Sequence, residues 1–548
     1  MNISGLEKHK YFNTFLLFST FILTIVTFYL RFGYHFGVND QWVLSPKGIS
    51  MADPTAFVGD WFTHGAPQPH WLFDFFTALG EKIGYLPEFY LLYWLATAFA
   101  MATFFTWIFL WIKKPLLALA GPPLLALGPH SLLGSGITLW GWALPHSLGG
   151  SLAVLALVAW MTGRYRWCSF LLLFSTLIHV QHGAHAAGLI LVAALVFRSF
   201  KKVGWSVVGS LVIVFSIAKV LGLAGGGDVF LTACQKYIPY HCLATSWPFE
   251  NFFPVLFLTS GFGISFLGYK KHFVPFYFVA GLIIFGLYLG IALDVLNIES
   301  ISWIPRRFNI YRLVSLLVPF SIVGFLWGTC LAFEAMKRSI IKNVFILIVS
   351  FSGLLTWIMS RNAGLEGQLV VSFFWTSLIL ILIFLSTLEL QRFNFLKLCG
   401  LICISSSLFF AEHFYRSAPY DNLKRIGQFV QEAVPPGKLI LISPHFEWFR
   451  FMSRRAIIAD TKAIPYQPDT FAEWENRIHD LGGFDNSGRS YSQLDYSSWS
   501  SIVRKYKADY AFVTEGDAVA QEVSQKHKLV LKLEGQPSFY VYKLEPNP

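Results

Sequence analysis

Apolar runs of roughly 16–24 residues recur from Tyr11 to Phe410, separated by short clusters of Lys and Arg. Such a run can cross the ~30 Å hydrocarbon core of a bilayer as one helix. The first, Tyr11 to Leu30, follows Lys8 and Lys10 and has no small-residue cleavage site after it. It therefore predicts a retained helix, not a signal peptide. Further helices are predicted from about Phe89 to Ile112, after Pro115, and from Ser147 to Met161, Val203 to Leu223 and Phe253 to Leu267. The series continues over Phe273 to Leu293, Phe308 to Ala332, Val344 to Ser360, Leu369 to Leu388 and Leu396 to Phe410. Between Arg166 and Arg198 the apolar stretch is long for one span and short for two. It predicts a pair of short helices meeting near His179-Val-Gln-His182-Gly-Ala-His185.

Beyond about Glu412 the pattern changes. Tyr420 to Val434 has the period of an amphipathic helix stopped by Pro435-Pro436-Gly437, and Phe471 to Leu481 is helical in period. Lys438 to Ile442, Ala456 to Ala459, Tyr510 to Val513, Leu529 to Leu533 and Phe539 to Lys543 predict strands, and the polar stretch Gly482 to Ser498 a loop. Alternating strands and helices indicate a small α/β layer domain. The expected fold class is thus an α-helical polytopic membrane protein of about 13 spans with a small C-terminal extracytoplasmic α/β domain. The expected division is residues 1–411, with a long first outer loop at 31–88, and residues 412–548.

Composition agrees: of 548 residues, 55% are hydrophobic and only 13% charged, against about 25% charged in soluble proteins. The net charge of +11 does not call for nucleic acid. Lys113/Lys114, Arg164/Arg166, Arg198/Lys201/Lys202, Lys270/Lys271, Lys337/Arg338/Lys342 and Arg392/Lys397 each fall between a pair of apolar segments. One topology puts all six clusters inside, with the N-terminus cytoplasmic and the C-terminal domain periplasmic or extracellular. The bilayer is the first expected partner, and nucleic acid is not expected. Six cysteines show no metal-type spacing. Cys168, Cys330, Cys399 and Cys403 read as buried apolar fillers. Cys234 and Cys242 share an outer loop where a disulfide is chemically permitted.

Candidate chemistry gathers in the outer segments. The first loop carries Asp40, Asp53, Asp60, His64, His70 and Asp74. A carboxylate beside an acceptor hydroxyl can take its proton while a sugar–phosphate bond breaks. A second can orient the acceptor or hold a divalent metal (Mg or Mn) against the phosphates. Asp40, just beyond the first helix, is the first choice as base, Asp60 the next and Asp53 a substrate contact; the alternative is that these are solvated or capping carboxylates. In Trp303-Ile-Pro-Arg306-Arg307-Phe-Asn-Ile-Tyr-Arg312, arginines stand on the outer side against the positive-inside tendency. Arg306 and Arg307 are read as forks for a lipid-carrier phosphate, or as interfacial residues paired with Glu299. Arg312 lies deeper and needs an internal partner. His241 is a candidate acceptor-side or phosphate contact. The spacing of His179, His182 and His185 could bring two imidazoles to one metal, hydrogen-bond a substrate, or serve packing.

Together these features resemble the GT-C superfamily of integral-membrane glycosyltransferases. The matching pattern is one helix, a first outer loop holding Asn39-Asp40 and Gly59-Asp60, about a dozen further spans, and a soluble C-terminal domain. The tail is similar to uncharacterised bacterial relatives at Pro444-His-Phe-Glu-Trp-Phe-Arg450, Ser453-Arg-Arg455-Ala-Ile-Ile and Phe471-Ala-Glu-Trp474-Glu-Asn-Arg477. The resemblance implies a bacterial inner-membrane enzyme of the cell envelope. It would transfer a sugar from a polyprenyl-phosphate carrier, with inversion, to a glycan, lipid or protein acceptor. The Asp-x-Asp pair of many such enzymes is missing from the first loop. Two other readings stand beside this one: a transporter or flippase of lipid-linked glycans, and a non-catalytic glycan-assembly protein.

Overall fold

A computed structural model describes residues 3–127, 142–220, 229–247, 252, 255, 259, 262–263, 265–268, 271–297, 306, 308–335, 421–484, 490–535 and 537–545. Most of the Phe253 to Leu267 segment, and the segments predicted at Val344 to Ser360, Leu369 to Leu388 and Leu396 to Phe410, lie outside the described residues. So do Arg307, Glu299, Cys399 and Cys403. Two compact units emerge: Met1–Tyr34 with Leu92–Phe215 and Cys234–Arg416, and His35–Leu91 with Ser216–Ala233 and Ser417–Pro548.

In chain order the helices are α1 (Ile3–Phe32), α2 (Gln41–Ala52), α3 (Trp61–Gly65), α4 (Trp71–Lys82), α5 (Leu86–Ile112) and α6 (Leu117–Leu127). Then come α7 (Pro145–Met161), α8 (Tyr165–Ile178), α9 (Val180–Val196), α10 (Phe200–Val220), α11 (Val229–Lys236) and α12 (Pro239–Cys242). Two further long helices span Val274–Val295 and Leu313–Ala335. Among the described residues, five helices are long and apolar enough to cross a membrane: Tyr11–Tyr29, Leu86–Ile112, Phe200–Val220, Lys271–Val295 and Ile310–Leu331. Four shorter apolar helices accompany them. The chain is an α-helical polytopic membrane protein with a small α/β region.

The first unit is a helical body. Inside it, hydroxyls are satisfied along their own helix: Thr20 donates to Leu16 O at 2.8 Å and Thr97 to Tyr93 O at 3.0 Å. Helices α8 and α9 form the expected short pair, joined at His179. Ser175 Oγ donates to Gly149 O at 2.8 Å, fastening α8 to α7. A Cβ at Gly149 would stand 2.5 Å from His179 Cβ, so only glycine permits this approach. Cys168 and Cys330 are buried, as expected of fillers, and Cys234 and Cys242 are joined by a disulfide with Cα atoms 5.8 Å apart.

The second unit holds a five-stranded sheet ordered β2-β1-β3-β5-β4, from β1 (Leu439–Leu441), β2 (Ala456–Ile457), β3 (Tyr510–Thr514), β4 (Lys528–Leu533) and β5 (Phe539–Lys543). Strand β1 is parallel to β2 and β3, while β5 runs antiparallel to β3 and β4. The helices Asp421–Ala433, Pro468–Asp480 and Tyr496–Tyr506 belong to the same region. Its core includes Val430, Ile440, Trp448, Phe449, Ile457, Phe512 and Val541, and Trp42 of α2 packs against it. The stretch predicted as a long loop is therefore largely helical. Gly48 of α2 lies so close to α4 that a Cβ there would come 2.5 Å from Asp74 O and 2.6 Å from Thr77 Cβ.

Candidate functional site

The segment entering α2 is tied down by its own polar groups. Gln41 Oε1 accepts from Gly37 N at 2.7 Å, and Trp42 Nε1 donates to Gly37 O at 2.8 Å. Asn39 adopts the left-handed region (φ +48°), which asparagine tolerates better than most residues. Asp40 follows at the N-cap of α2 but makes no side-chain capping bond. Its Oδ1 stands instead 3.1 Å from Lys462 Nζ, with the carboxylate side chain 46% exposed. The same ammonium meets Asn39 Oδ1, lies 3.9 Å from Glu447 Oε2, and sits 5.5 Å from the centre of the Trp42 ring. Glu447 Oε1 accepts from Thr461 Oγ1 at 3.0 Å. Burial pushes the Glu447 carboxyl up, with Lys462 and Thr461 pulling the other way.

Asp60 occupies a different environment. It caps α3, accepting from Thr63 N at 2.8 Å, and its Oδ2 accepts from Arg450 Nε at 3.0 Å and Ile457 N at 3.2 Å. Arg450 also bonds Asp460 through Nη1, and all three side chains are wholly buried. Asp460 Oδ1 in turn accepts from the backbone of Lys462 at 3.0 Å and Ala463 at 2.8 Å. The buried triad thus sets the backbone of the lysine that faces Asp40. Asp53 Oδ1 accepts from Thr55 N and Oγ1, a local turn that holds its carboxyl below the ordinary range. Asp74 is buried in α4, and its Oδ1 has no hydrogen-bond partner. Burial drives its carboxyl up to about 7, opposed by Lys47.

In the other unit, Arg306 is ion-paired with the buried Asp294, whose Oδ2 also accepts from Ala244 N at 2.6 Å. Arg312 lies 3.5 Å from His241 Nδ1. This imidazole is one neighbour of Arg312 within the unit. Of the three spaced histidines, His179 and His182 come together and His146 of α7 joins them, while His185 Nε2 pairs with Phe308 O at 3.1 Å.

The oxygens of Asn39, Asp40 and Glu447 are of the kind that Mg²⁺ or Mn²⁺ prefers. The Lys462 ammonium lies among them, however, and repels a second cation, so this set does not fit a divalent ion. Lys462, Glu447, Arg450, Asp460 and His146 were not predicted. Only the Pro444 to Arg450 motif flagged two of them, and nothing local connects Arg450 to Asp60 or Lys462 to Asp40.

Residues 421–481 match the family described as Domain of unknown function (DUF6798), a span that includes Glu447, Arg450, Asp460 and Lys462. No curated protein matches the chain. Among solved structures it is similar to the oligosaccharyltransferase of Archaeoglobus fulgidus, crystallised with Zn and sulfate. There the identity is 12% and the TM-score 0.45, covering 96% of this chain and 72% of that one. It is likewise similar to ArnT from Cupriavidus metallidurans in the apo state, at 12% identity and a TM-score of 0.44, covering 94% and 95%.

Proposed function

We propose that the chain transfers a sugar from a polyprenyl-phosphate carrier to a glycan, lipid or protein acceptor at the extracytoplasmic face of a bacterial inner membrane. The observation that carries this reading is the Asp40 carboxylate, half-exposed, not used as a helix cap, and oriented by Lys462. Asp40 takes the proton of the acceptor hydroxyl as that oxygen attacks the anomeric carbon. The carbon–oxygen bond to phosphate breaks, and the carrier phosphate leaves with the electron pair. Lys462 positions the base and Glu447 lines the same cluster. Asp60 acts as a positioning residue: its carboxylate is committed to Arg450, which also holds Asp460 beneath the lysine. Within their own unit, Arg306 and Arg312 are the candidates for the carrier phosphate, and His241 is their neighbour. The Cys234–Cys242 disulfide supports an outward placement of its loop, since such bonds persist in oxidising compartments.

The test is release of polyprenyl phosphate from a polyprenyl-phosphate sugar by the purified full chain in the presence of acceptor. Asp40→Asn should lower the rate by about 10²–10⁴-fold while the thermal midpoint stays put. Unaltered turnover in that variant removes Asp40 from the chemistry, and a wild-type chain that releases no carrier phosphate overturns the reading.

A further inference from the structure

We propose that His146, His179 and His182 form a three-imidazole site for a divalent ion of the zinc class. This inference stands apart from the transfer reaction, because it uses none of the residues assigned to it. His146 lies in the first turn of α7, His179 caps α9, and His182 lies in the first turn of α9. The turn between α8 and α9 thereby faces the start of α7, and the three residues can each offer a ring nitrogen within 4.8 Å of the others. His182 Nε2 is 3.0 Å from His146 Nδ1, and the ring centres of His182 stand 4.5 Å from His146 and 4.7 Å from His179. Nitrogens bound tetrahedrally to zinc at about 2.0–2.1 Å are separated by about 3.3 Å, so small ring rotations suffice.

Three further observations point to a ligand. His182 is fully buried, so the ring nitrogen that faces His146 cannot turn to bulk water. Gly149 and Gly150 bring the α7 backbone against both imidazoles: a Cβ at Gly149 would meet His179 Cβ at 2.5 Å, and one at Gly150 would stand 3.5 Å from His182 Nε2. Finally, His185 continues the three-residue spacing but is turned to Phe308 O, which separates a ligand set from a mere histidine-rich turn.

The donor chemistry selects the ion. Neutral imidazoles suit zinc, copper, nickel and iron, whereas magnesium and calcium take oxygen ligands. Three histidines leave a fourth position for water or another ligand. Loading needs an unprotonated nitrogen on each ring, so the proton in the 3.0 Å contact between His146 and His182 moves to the other nitrogen of its own imidazole.

The experiment titrates Co²⁺, then Zn²⁺, into the full chain purified in detergent and stripped with a chelator. One cobalt per chain should bind with a visible d–d spectrum of a nitrogen-ligated, low-coordinate site, and zinc should erase it. His182→Ala should weaken cobalt binding at least ~10-fold, and His146→Gln, at a less buried position, should do the same in a chain with an unchanged size-exclusion profile. His185→Ala should bind as the parent does. A folded parent chain that gives no cobalt spectrum overturns the site, as does His185→Ala losing the spectrum as fully as His146→Gln.

Discussion

Two clusters in the second unit use the same charge arrangement, one cation between two carboxylates, and differ in the cation and in access to water. Arg450 lies between Asp60 and Asp460 with none of the three exposed, whereas Lys462 lies between Asp40 and Glu447 with Asp40 nearly half exposed. Both connect the segment after α1 to the C-terminal region. The contrast shows how burial divides the labour. A guanidinium holds two buried carboxylates through fixed, directional bonds, as a compact ammonium cannot. At the wetter site Asp40 keeps nearly half of its side chain open to water, which is the access that the proposed transfer requires. The buried cluster sets geometry, and the open one leaves a carboxylate accessible.

Substitutions can break this contrast in order of expected effect. Arg450→Met strands two buried carboxylates and should cost about 3–5 kcal/mol, read as a lowered thermal midpoint of the purified chain. Arg450→Lys should recover only a fraction of it, and full recovery would show that fork geometry is irrelevant. Lys462→Met should do the reverse, changing stability by less than about 1 kcal/mol while slowing transfer. It should also raise the Glu447 carboxyl further, because the ammonium now opposes the effect of burial there. A stability loss as large as that of Arg450→Met would erase the distinction.

Asp74, outside both clusters, gives the most pH-specific effect. Its carboxyl rises from the ordinary 3.8 to about 7, so between those values the folded chain keeps a proton that the unfolded chain has lost. The associated stability is complete below 3.8 and is lost as pH rises through about 7. The thermal midpoint should therefore decrease as the pH is raised from about 5 to about 8, and Asp74→Asn should flatten that slope. An equal slope in the variant would assign the effect to other groups.

Much of this architecture was legible in the sequence. The short pair α8 and α9 followed from two basic clusters enclosing a stretch of awkward length, and β1, β3, β4 and β5 from their apolar runs. The helix Tyr496–Tyr506 was less legible, because Ser497, Ser498, Ser500 and Ser501 give it the composition of a loop, although Asp495 caps it by accepting from Ser498 N at 2.7 Å. Helices α2 to α4 were hidden for a related reason: Pro46, Pro54, Gly59, Pro67 and Pro69 break their period. Within the site, Asp40 and Asp60 looked alike, two acids in one polar segment. What separates them is a partner far along the chain, and no local pattern encodes that.

The 390-residue separation of Asp60 from Arg450 has a consequence for biogenesis. At about 5–20 residues per second, roughly 20–80 s pass between translation of the acid and of its guanidinium. Throughout that interval burying Asp60 would strand its charge, so α3 has to stay hydrated until its partner is made. Maturation of this unit is therefore late by construction, and a ribosome that stalls before Arg450 leaves behind an unfinished segment for quality-control proteases to find.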